Sequence, residues 1–302
     1  MDAPARPAWD AARLQAALAA RWPGLVVEVL EAVDSTNTRL VEQARHDQRC
    51  EPRLLVAEHQ TAGRGRQGRS WLAEAGATLT FSLRLPLEPA DWSGLSLGVG
   101  AALADALDPP GPAAPRVLLK WPNDLWVADG PASWRKLGGV LIETMVCGGR
   151  RCVVIGVGIN VRGLDAPGLA QGSAGVAEWI PGATPATVLH RVALPLLEAA
   201  KAFAVDGFAP WRAAYARRDL LAGRVVSTSS AEVPVGIADG VEADGTLRVQ
   251  VDGRVRHITG GEVSVRPQAG VRPASVPGRS PDQPSAPASP HAPARGQPQE
   301  RA

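Results

Sequence analysis

The segment HQTAGRGRQGRSW, residues 59–71, sets three glycines and three arginines in the seven positions from Gly63 to Arg69. Its centre, Gly63-Arg64-Gly65-Arg66-Gln67-Gly68, matches the G-x-G-x-x-G pattern of dinucleotide-binding turns. That pattern binds a dinucleotide only where the glycines open a helix that crosses back to a parallel strand, a connection of about a dozen residues or more. Glu88 stands near the place of a ribose-binding acid, but only nine residues without helical periodicity separate Gly68 from the strand expected at Thr78. The dinucleotide fold is therefore rejected. A solvated basic loop, a nucleic-acid contact and a mobile loop closing over a small anion remain. Glycine N–H groups can converge on an anion, and arginine forks grip carboxylate or phosphate oxygens in pairs. The loop alone leaves the three readings open.

Composition narrows the field. Across 302 residues the formal net charge is +2, so no global attraction to nucleic acid or membrane is implied. The longest apolar run near the N-terminus, Ala16 to Ala20, is too short for a signal-peptide core, and no stretch could span a bilayer. Cys50, Cys147 and Cys152 are odd in number and lack metal-ligand spacing, which predicts reduced thiols in a cytoplasmic protein. A Cys147–Cys152 bridge across a hairpin is the lesser alternative. The five histidines are scattered and suggest no metal cluster. Of the 32 basic residues only Lys120, Lys136 and Lys201 are lysine, and asparagine occurs only at 37, 123 and 160. In a chain that defaults to arginine, a retained lysine marks a place where a compact ammonium matters.

Periodicity predicts helices over 9–21, 37–46, 94–107, 186–203 and 208–221, and strands over 25–33, 54–60, 78–85 and 117–121. The runs 137–146 and 152–161 read as a hairpin around Gly148-Gly149. Short β runs from 224 to 266 suggest a small barrel, and the Pro-, Ser- and Ala-rich stretch 267–302 is expected to be disordered. The segment Leu125 to Arg135 is long for a link between two lysine-bearing segments, and its Gly130-Pro131 suggests an inserted surface turn.

Two of the three lysines and two of the three asparagines fall in three segments: Lys120-Trp121-Pro122-Asn123-Asp124, Lys136-Leu137-Gly138-Gly139 and Gly156-Val157-Gly158-Ile159-Asn160. The third asparagine lies in Asp34-Ser35-Thr36-Asn37. With the glycine-arginine loop these make five ordered segments, and over residues 30–266 the set closely resembles the biotin protein ligases. The resemblance implies an α/β (α+β) catalytic domain with a mixed sheet at 1–223, an SH3-like barrel at 224–266 closed by Gly260-Gly261-Glu262-Val263, and a tail beyond. It implies an enzyme that uses ATP and Mg²⁺ to activate biotin as biotinyl-5′-AMP. The biotin then passes to a lysine of the biotin carboxyl carrier domain of an acyl-CoA carboxylase. Many members carry an N-terminal DNA-binding domain, for which the roughly thirty residues before the first strand are too few. A ligase without operator DNA as partner, a monomer or weak homodimer, is the expectation. The related lipoate ligases and a non-catalytic adenylate-binding protein are the rivals, and pyrophosphate release dependent on ATP and biotin separates them.

The resemblance also assigns residues. Lys136, Arg66, Lys120 and Asp124 are the expected catalytic groups. Biotin is expected against Ser35, Thr36, Asn37, Gln60, Gly63, Arg64, Gly65, Arg66, Trp71, Lys136, Gly139, Gly156 and Gly158. The adenylate is expected against Arg64, Arg66, Arg69, Trp71, Lys120, Asn123, Lys136 and Asn160, and the metal at Asp124 with Asn123 and Asn160. Each has a plainer reading: helix capping for Ser35 and Thr36, core packing for Trp71, a turn after Pro122 for Asn123-Asp124, a surface lysine for Lys136.

Overall fold

The computed structural model describes residues 9–130, 133–165, 172–259 and 265–267. In chain order the first sheet and its helices are α1 (Ala11–Ala19), β1 (Val26–Val33), α2 (Thr36–Asp47), β2 (Arg53–Gln60), β3 (Thr78–Pro86), α3 (Leu95–Leu107), β4 (Val117–Lys120), β5 (Asp124–Ala128), β6 (Trp134–Cys147), β7 (Arg150–Asn160), α4 (Pro185–Asp206) and α5 (Arg212–Arg218). A second group of strands follows: β8 (Val225–Thr228), β9 (Val235–Val241), β10 (Leu247–Val251), β11 (Arg254–Ile258) and β12 (Val265–Pro267). The first sheet runs β1-β2-β3-β7-β6-β5-β4. Its β1–β2 pair is parallel and the other pairs are antiparallel. A parallel pair needs a crossover, and α2 supplies it. Ser35 caps that helix by accepting from Thr38 N at 3.4 Å.

The alternation read in β3 is present, but both of its faces are buried. Leu79, Phe81, Leu83 and Leu85 join the large core with residues of α3 and α4. Burying each such side chain contributes on the order of 2 kcal/mol. The other face, Thr78, Thr80, Ser82 and Arg84, is shielded as well, where α2 packs over β2, β3 and β7. Arg84 is accommodated there by donating to Glu51 O (2.9 Å) and Leu40 O (3.2 Å). A sheet covered on two sides can hold polar groups in its middle only if they bond to each other.

Several expectations change. Most of the stretch Leu125 to Arg135 is β5 and the start of β6, antiparallel partners in the sheet; the turn expected at Gly130-Pro131 falls in the link between them, where residues 131 and 132 lie outside the described residues. The helix expected at 208–221 is a 3-10 turn, Ala209–Trp211, followed by the short α5. It stops because Arg218 is buried and paired with Asp105 (2.9 Å) and Asp108 (2.8 Å), while Leu220 N donates to Leu119 O (2.9 Å). The expectation of three reduced thiols is also corrected, since Cys50 and Cys152 form a disulfide with Cα atoms 5.8 Å apart, and Cys147 is buried and free. The hairpin register sets Cys147 opposite Arg150 and Cys152 opposite Met145, so the cross-hairpin bridge is excluded. Cys50 is 102 positions from its partner, beyond the reach of spacing rules.

The second sheet has the order β11-β10-β9-β8-β12 and, among the described residues, does not close into the expected barrel. Gly260 to Val263, the expected closing strand, and positions 268–302 of the expected tail lie outside the described residues, while Pro267, expected to begin the tail, ends β12. Trp121 fastens this sheet to the first by donating from Nε1 to Gly245 O at 3.0 Å. Gly245 and Gly94 permit the approach, because a Cβ on Gly245 would stand 2.8 Å from the Gly94 Cα. Among the described residues no helix is long and apolar enough to cross a membrane.

Where α5 ends, Asp219 Oδ1 accepts from Leu221 N at 2.9 Å and Oδ2 is enclosed without a hydrogen-bond partner. Burial pushes its carboxyl up to about 6, from an ordinary 3.8. A carboxyl whose folded pKa is raised contributes stability below its unfolded pKa that is lost as pH rises through the folded one. Asp219→Asn should therefore be near neutral at about pH 4 and stabilising at about pH 8 by on the order of 2 kcal/mol. Urea unfolding at the two pH values measures this, and an equal effect at both would contradict it.

Candidate active site

Beyond Gln60 the chain turns back on itself. Trp71 N donates to Gly63 O (2.8 Å) and Gly65 N to Arg69 O (2.7 Å), with Arg64 bridged to Ser70. The glycine-arginine segment is thus a small hairpin with its turn at Arg66–Gly68, where Gln67 and Gly68 have φ 58° and 69°. No helix follows, which agrees with rejection of the dinucleotide fold. Gly63 is required by packing: a Cβ there would meet Gln60 Nε2 at 3.1 Å and overlap the Trp71 carbonyl.

This hairpin overhangs a half-open cleft above the middle of the first sheet. The cleft is lined by Ser35, Thr36 and Asn37 from the start of α2, Gln60, the hairpin residues Arg64 to Trp71 except Gly68, and Lys120, Asn123 and Asp124. Lys136 and Gly139 of β6 and Gly156 and Gly158 of β7 complete the set that the sequence singled out. Two residues of that set stay off the walls. Gly63 lies beneath Trp71, and Asn160 is 4 % exposed, its Nδ2 donating to Lys136 O at 3.2 Å.

One end of the cleft is neutral and polar. Gln60 Oε1 accepts from Thr36 N (2.7 Å) and Thr36 Oγ1 (3.0 Å), so its amide N–H groups point away from α2. Ser82 Oγ lies 2.6 Å from Asn37 Oδ1 and 2.7 Å from Thr36 Oγ1. The two glycines of β7 make room for these groups. A Cβ on Gly156 would overlap Asn37 Oδ1, and one on Gly158 would overlap the Trp71 ring.

The other end is cationic. Lys120 ends β4, Asp124 opens β5 directly opposite it, and Lys136 lies on β6 beyond a bulge in the β5–β6 pairing. Lys136 Nζ donates to Asp124 Oδ1 at 2.7 Å, and Lys120 Nζ stands 3.8 Å from Oδ2. Arg66 donates to Asn123 Oδ1 at 3.2 Å, and Lys136 Nζ lies 5.8 Å from the Trp71 ring centre. Burial lowers the Lys120 ammonium pKa, with Asp124 opposing and Lys136 adding to the fall. Burial likewise lowers that of Arg66, again against Asp124. Lys120, Lys136, Arg66 and Arg69 thus face one carboxylate on the cleft walls, and that imbalance favours an anion with several charges.

The resemblance implies Mg²⁺, and the donors can be tested against it. Among the described residues no three His, Cys, Asp or Glu side chains gather. Asp124 is the one carboxylate on the walls among the described residues. Mg²⁺ ordinarily takes one or two carboxylates with phosphate and water oxygens, so this set fits a cation carried by phosphate. Asn123 already accepts from Arg66 and donates to Val140 O (2.7 Å), and Asn160 is turned to Lys136.

Some site residues escape sequence reasoning. Thr80 and Ser82 read only as the polar face of a strand, though a hydroxyl between two buried faces must bond to something. Glu143, an acid inside the apolar run Val140 to Val146, is a visible signal that no motif claims. Val265 lines the cleft from the second sheet, and the charge of Arg266 next to it reaches Lys120. No local pattern links them to the cleft.

The family model for the biotin/lipoate A/B protein ligase family matches residues 29–160. A biotin–[acetyl-CoA-carboxylase] ligase of Mycobacterium tuberculosis is 34 % identical over 252 residues, 78 % of this chain and 88 % of that protein. The chain belongs to the biotin protein ligase family. The bifunctional ligase/repressor BirA of Salmonella typhimurium is 35 % identical to this biotin protein ligase family member over 255 residues, 80 % of this chain and 74 % of its own. The structure of the Aquifex aeolicus biotin protein ligase in complex with biotin and ATP matches with a TM-score of 0.66 at 28 % identity. That match covers 82 % of this chain and all of the other.

The overlap at Gly158 gives a prediction about the hairpin. A methyl group at 158 displaces Trp71 and loosens residues 63–71, and overpacking on that scale shifts a local opening equilibrium about tenfold. In Gly158→Ala, amide exchange across 63–71 should accelerate by that factor while β2 keeps its protection. Mass-spectrometric hydrogen exchange reads both, and an unchanged hairpin would refute the packing role.

Proposed function

We propose that this protein is an ATP-dependent ligase that activates biotin as biotinyl-5′-AMP and transfers it to a lysine of a biotin carboxyl carrier domain. The observation that carries this reading is the convergence of five separated sequence segments on one cleft, neutral and polar at one end and cationic at the other. A ureido ring is uncharged and needs both donors and acceptors, which Gln60, Thr36, Asn37 and Ser35 offer. A carboxylate and a triphosphate are anions that repel, and Lys136, Lys120, Arg66 and Arg69 supply the opposite charge where they must meet.

In the first step a biotin carboxylate oxygen attacks the α-phosphorus of ATP, the bond from that phosphorus to the bridging oxygen breaks, and pyrophosphate leaves. Lys136 moves from Asp124 to the developing charge on the phosphoryl oxygens, with Asp124 keeping it poised. Trp71 and the hairpin cover the adenylate, Arg64 and Arg66 holding its charged part and excluding water. In the second step the acceptor amine attacks the acyl carbon and AMP leaves. Asp124 would hold Mg²⁺ together with phosphate oxygens, and when bound the ion supplies further charge screening. We treat residues 224–266 as a distinct C-terminal domain whose strand β12 borders the nucleotide end of the cleft.

The direct test is pyrophosphate release that requires both ATP and biotin, followed by transfer of label to a carrier domain. Release with lipoate in place of biotin would move the protein to the related ligases, and no release would leave a binding protein. Within this reading Lys136→Arg should cost roughly a hundredfold in adenylate formation, the scale of losing one preorganised electrostatic contact. A planar, bulkier fork would have to share the space that the ammonium now occupies 2.7 Å from Asp124 and 5.8 Å from the Trp71 ring centre. Biotin affinity and melting temperature should change far less, because the ammonium acts on the transition state. Single-turnover kinetics with biotin titration and thermal melting reads this, and near-normal turnover in the folded variant would remove Lys136 from the mechanism.

A further inference from the structure

The polar end of the cleft rests on a carboxylate that does not line it. Glu143 lies on β6 two positions beyond Leu141, facing the same side of the sheet, and its two oxygens reach two different elements. Oε2 accepts from Asn37 Nδ2 at 2.9 Å, and Oε1 stands 3.6 Å from Arg64 Nη1 in the hairpin. Arg64 Nη1 also donates to Thr38 Oγ1 at 3.3 Å. One acid thus joins the first turn of α2 to the arginine that overhangs the cleft.

A carboxylate accepts and never donates, so it fixes the direction of every bond that leads to it. Asn37 turns its NH₂ toward Glu143 at 2.9 Å and, at the longer distance of 3.4 Å, toward Leu141 O, which puts Oδ1 toward Ser82. Ser82 has one hydroxyl proton, and Asn37 Oδ1 has none to offer, so that proton goes to Asn37 across 2.6 Å. Gln60 Oε1 accepts from the Thr36 backbone N–H and hydroxyl, which by itself turns the Gln60 N–H groups away from α2. Asn37 and Ser82 are 3 % and 0 % exposed, so no solvent is at hand to repair a reversed bond.

We propose that Glu143 is a positioning residue that orients the Asn37–Ser82 pair of the polar floor and tethers Arg64 of the hairpin over it. This deepens the biotin reading and rests on it. A neutral amide at 143 can donate as well as accept and has no charge for Arg64. Both functions therefore fail together without loss of side-chain volume.

The experiment compares the full-length protein with Glu143→Gln, Glu143→Asp and Arg64→Ala. In Glu143→Gln the biotin KM should rise about tenfold, the loss expected for one charge-assisted bond, with the ATP KM within about twofold and melting unchanged. Glu143→Asp, which keeps the charge, should recover part of the loss. Without ligand, amide exchange across 63–71 should accelerate in Glu143→Gln and Arg64→Ala, and the double variant should add nothing further. An unchanged biotin KM with unchanged exchange would overturn the role. So would equal rises in both KM values with a lowered melting temperature, the mark of a general defect. If the parental protein forms no adenylate, the biotin reading fails by itself, while the ligand-free exchange cycle still decides whether Glu143 holds the hairpin.

Discussion

Positive charges crowded into a half-buried cleft repel one another, and the Asp124 carboxylate is what lets this sheet carry them. Lys120 and Lys136 come from strands on either side of β5, and each turns its ammonium to a different oxygen of the same acid. The strand order β6-β5-β4 places Asp124 at the start of the strand between the two lysines. In the proposed reaction the phosphates would share these two ammonium groups with Asp124, and both are already held at the cleft wall. Electrostatics prepared in this way needs little reorganisation at the moment of reaction.

The polar end obeys a different rule. Its groups carry no net charge apart from the Glu143–Arg64 pair beside them, so their value lies in direction. Burial between α2 and the sheet denies them water, and each must therefore take its partner within the protein. The open positions at Gly156 and Gly158 belong to the same design, since they are where Asn37 and Trp71 fit. One strand thus contributes to the site chiefly by lacking side chains.

Much of this is legible in the amino-acid sequence. The scarcity of lysine and asparagine draws attention to residues 120, 123, 136 and 160, and three of those four line the cleft. The glycine-arginine segment is separated from a dinucleotide turn by the length of its connection, a mechanical constraint on the chain alone. What stays hidden depends on pairing between distant positions. β5 escapes a local reading because it opens at Asp124 directly after the turn Trp121–Asn123, and the Cys50–Cys152 bond joins positions that spacing rules do not connect. Ser82 and Glu143 carry no motif, and only the fold makes one a donor to Asn37 and the other its acceptor. Val265 is legible as a strand residue, and nothing local says that its strand borders the cleft.

β3 supplies a last consequence. It sits between β2, close behind it in the chain, and β7, whose residues reach it only after α3, β4, β5 and β6 have been made. Thr78 finds Asn160, and Pro86 finds Cys152, so the centre of the sheet is closed by contacts of long sequence separation. Such topologies fold slowly, because loop entropy is lost before the pairing that compensates for it. On a ribosome the strand beneath the polar floor would emerge well before its partner, with Ser82 and Thr80 bare on one side and Phe81 on the other. The chain is therefore most exposed to misassembly during synthesis, at a strand that in the finished fold is buried on both faces.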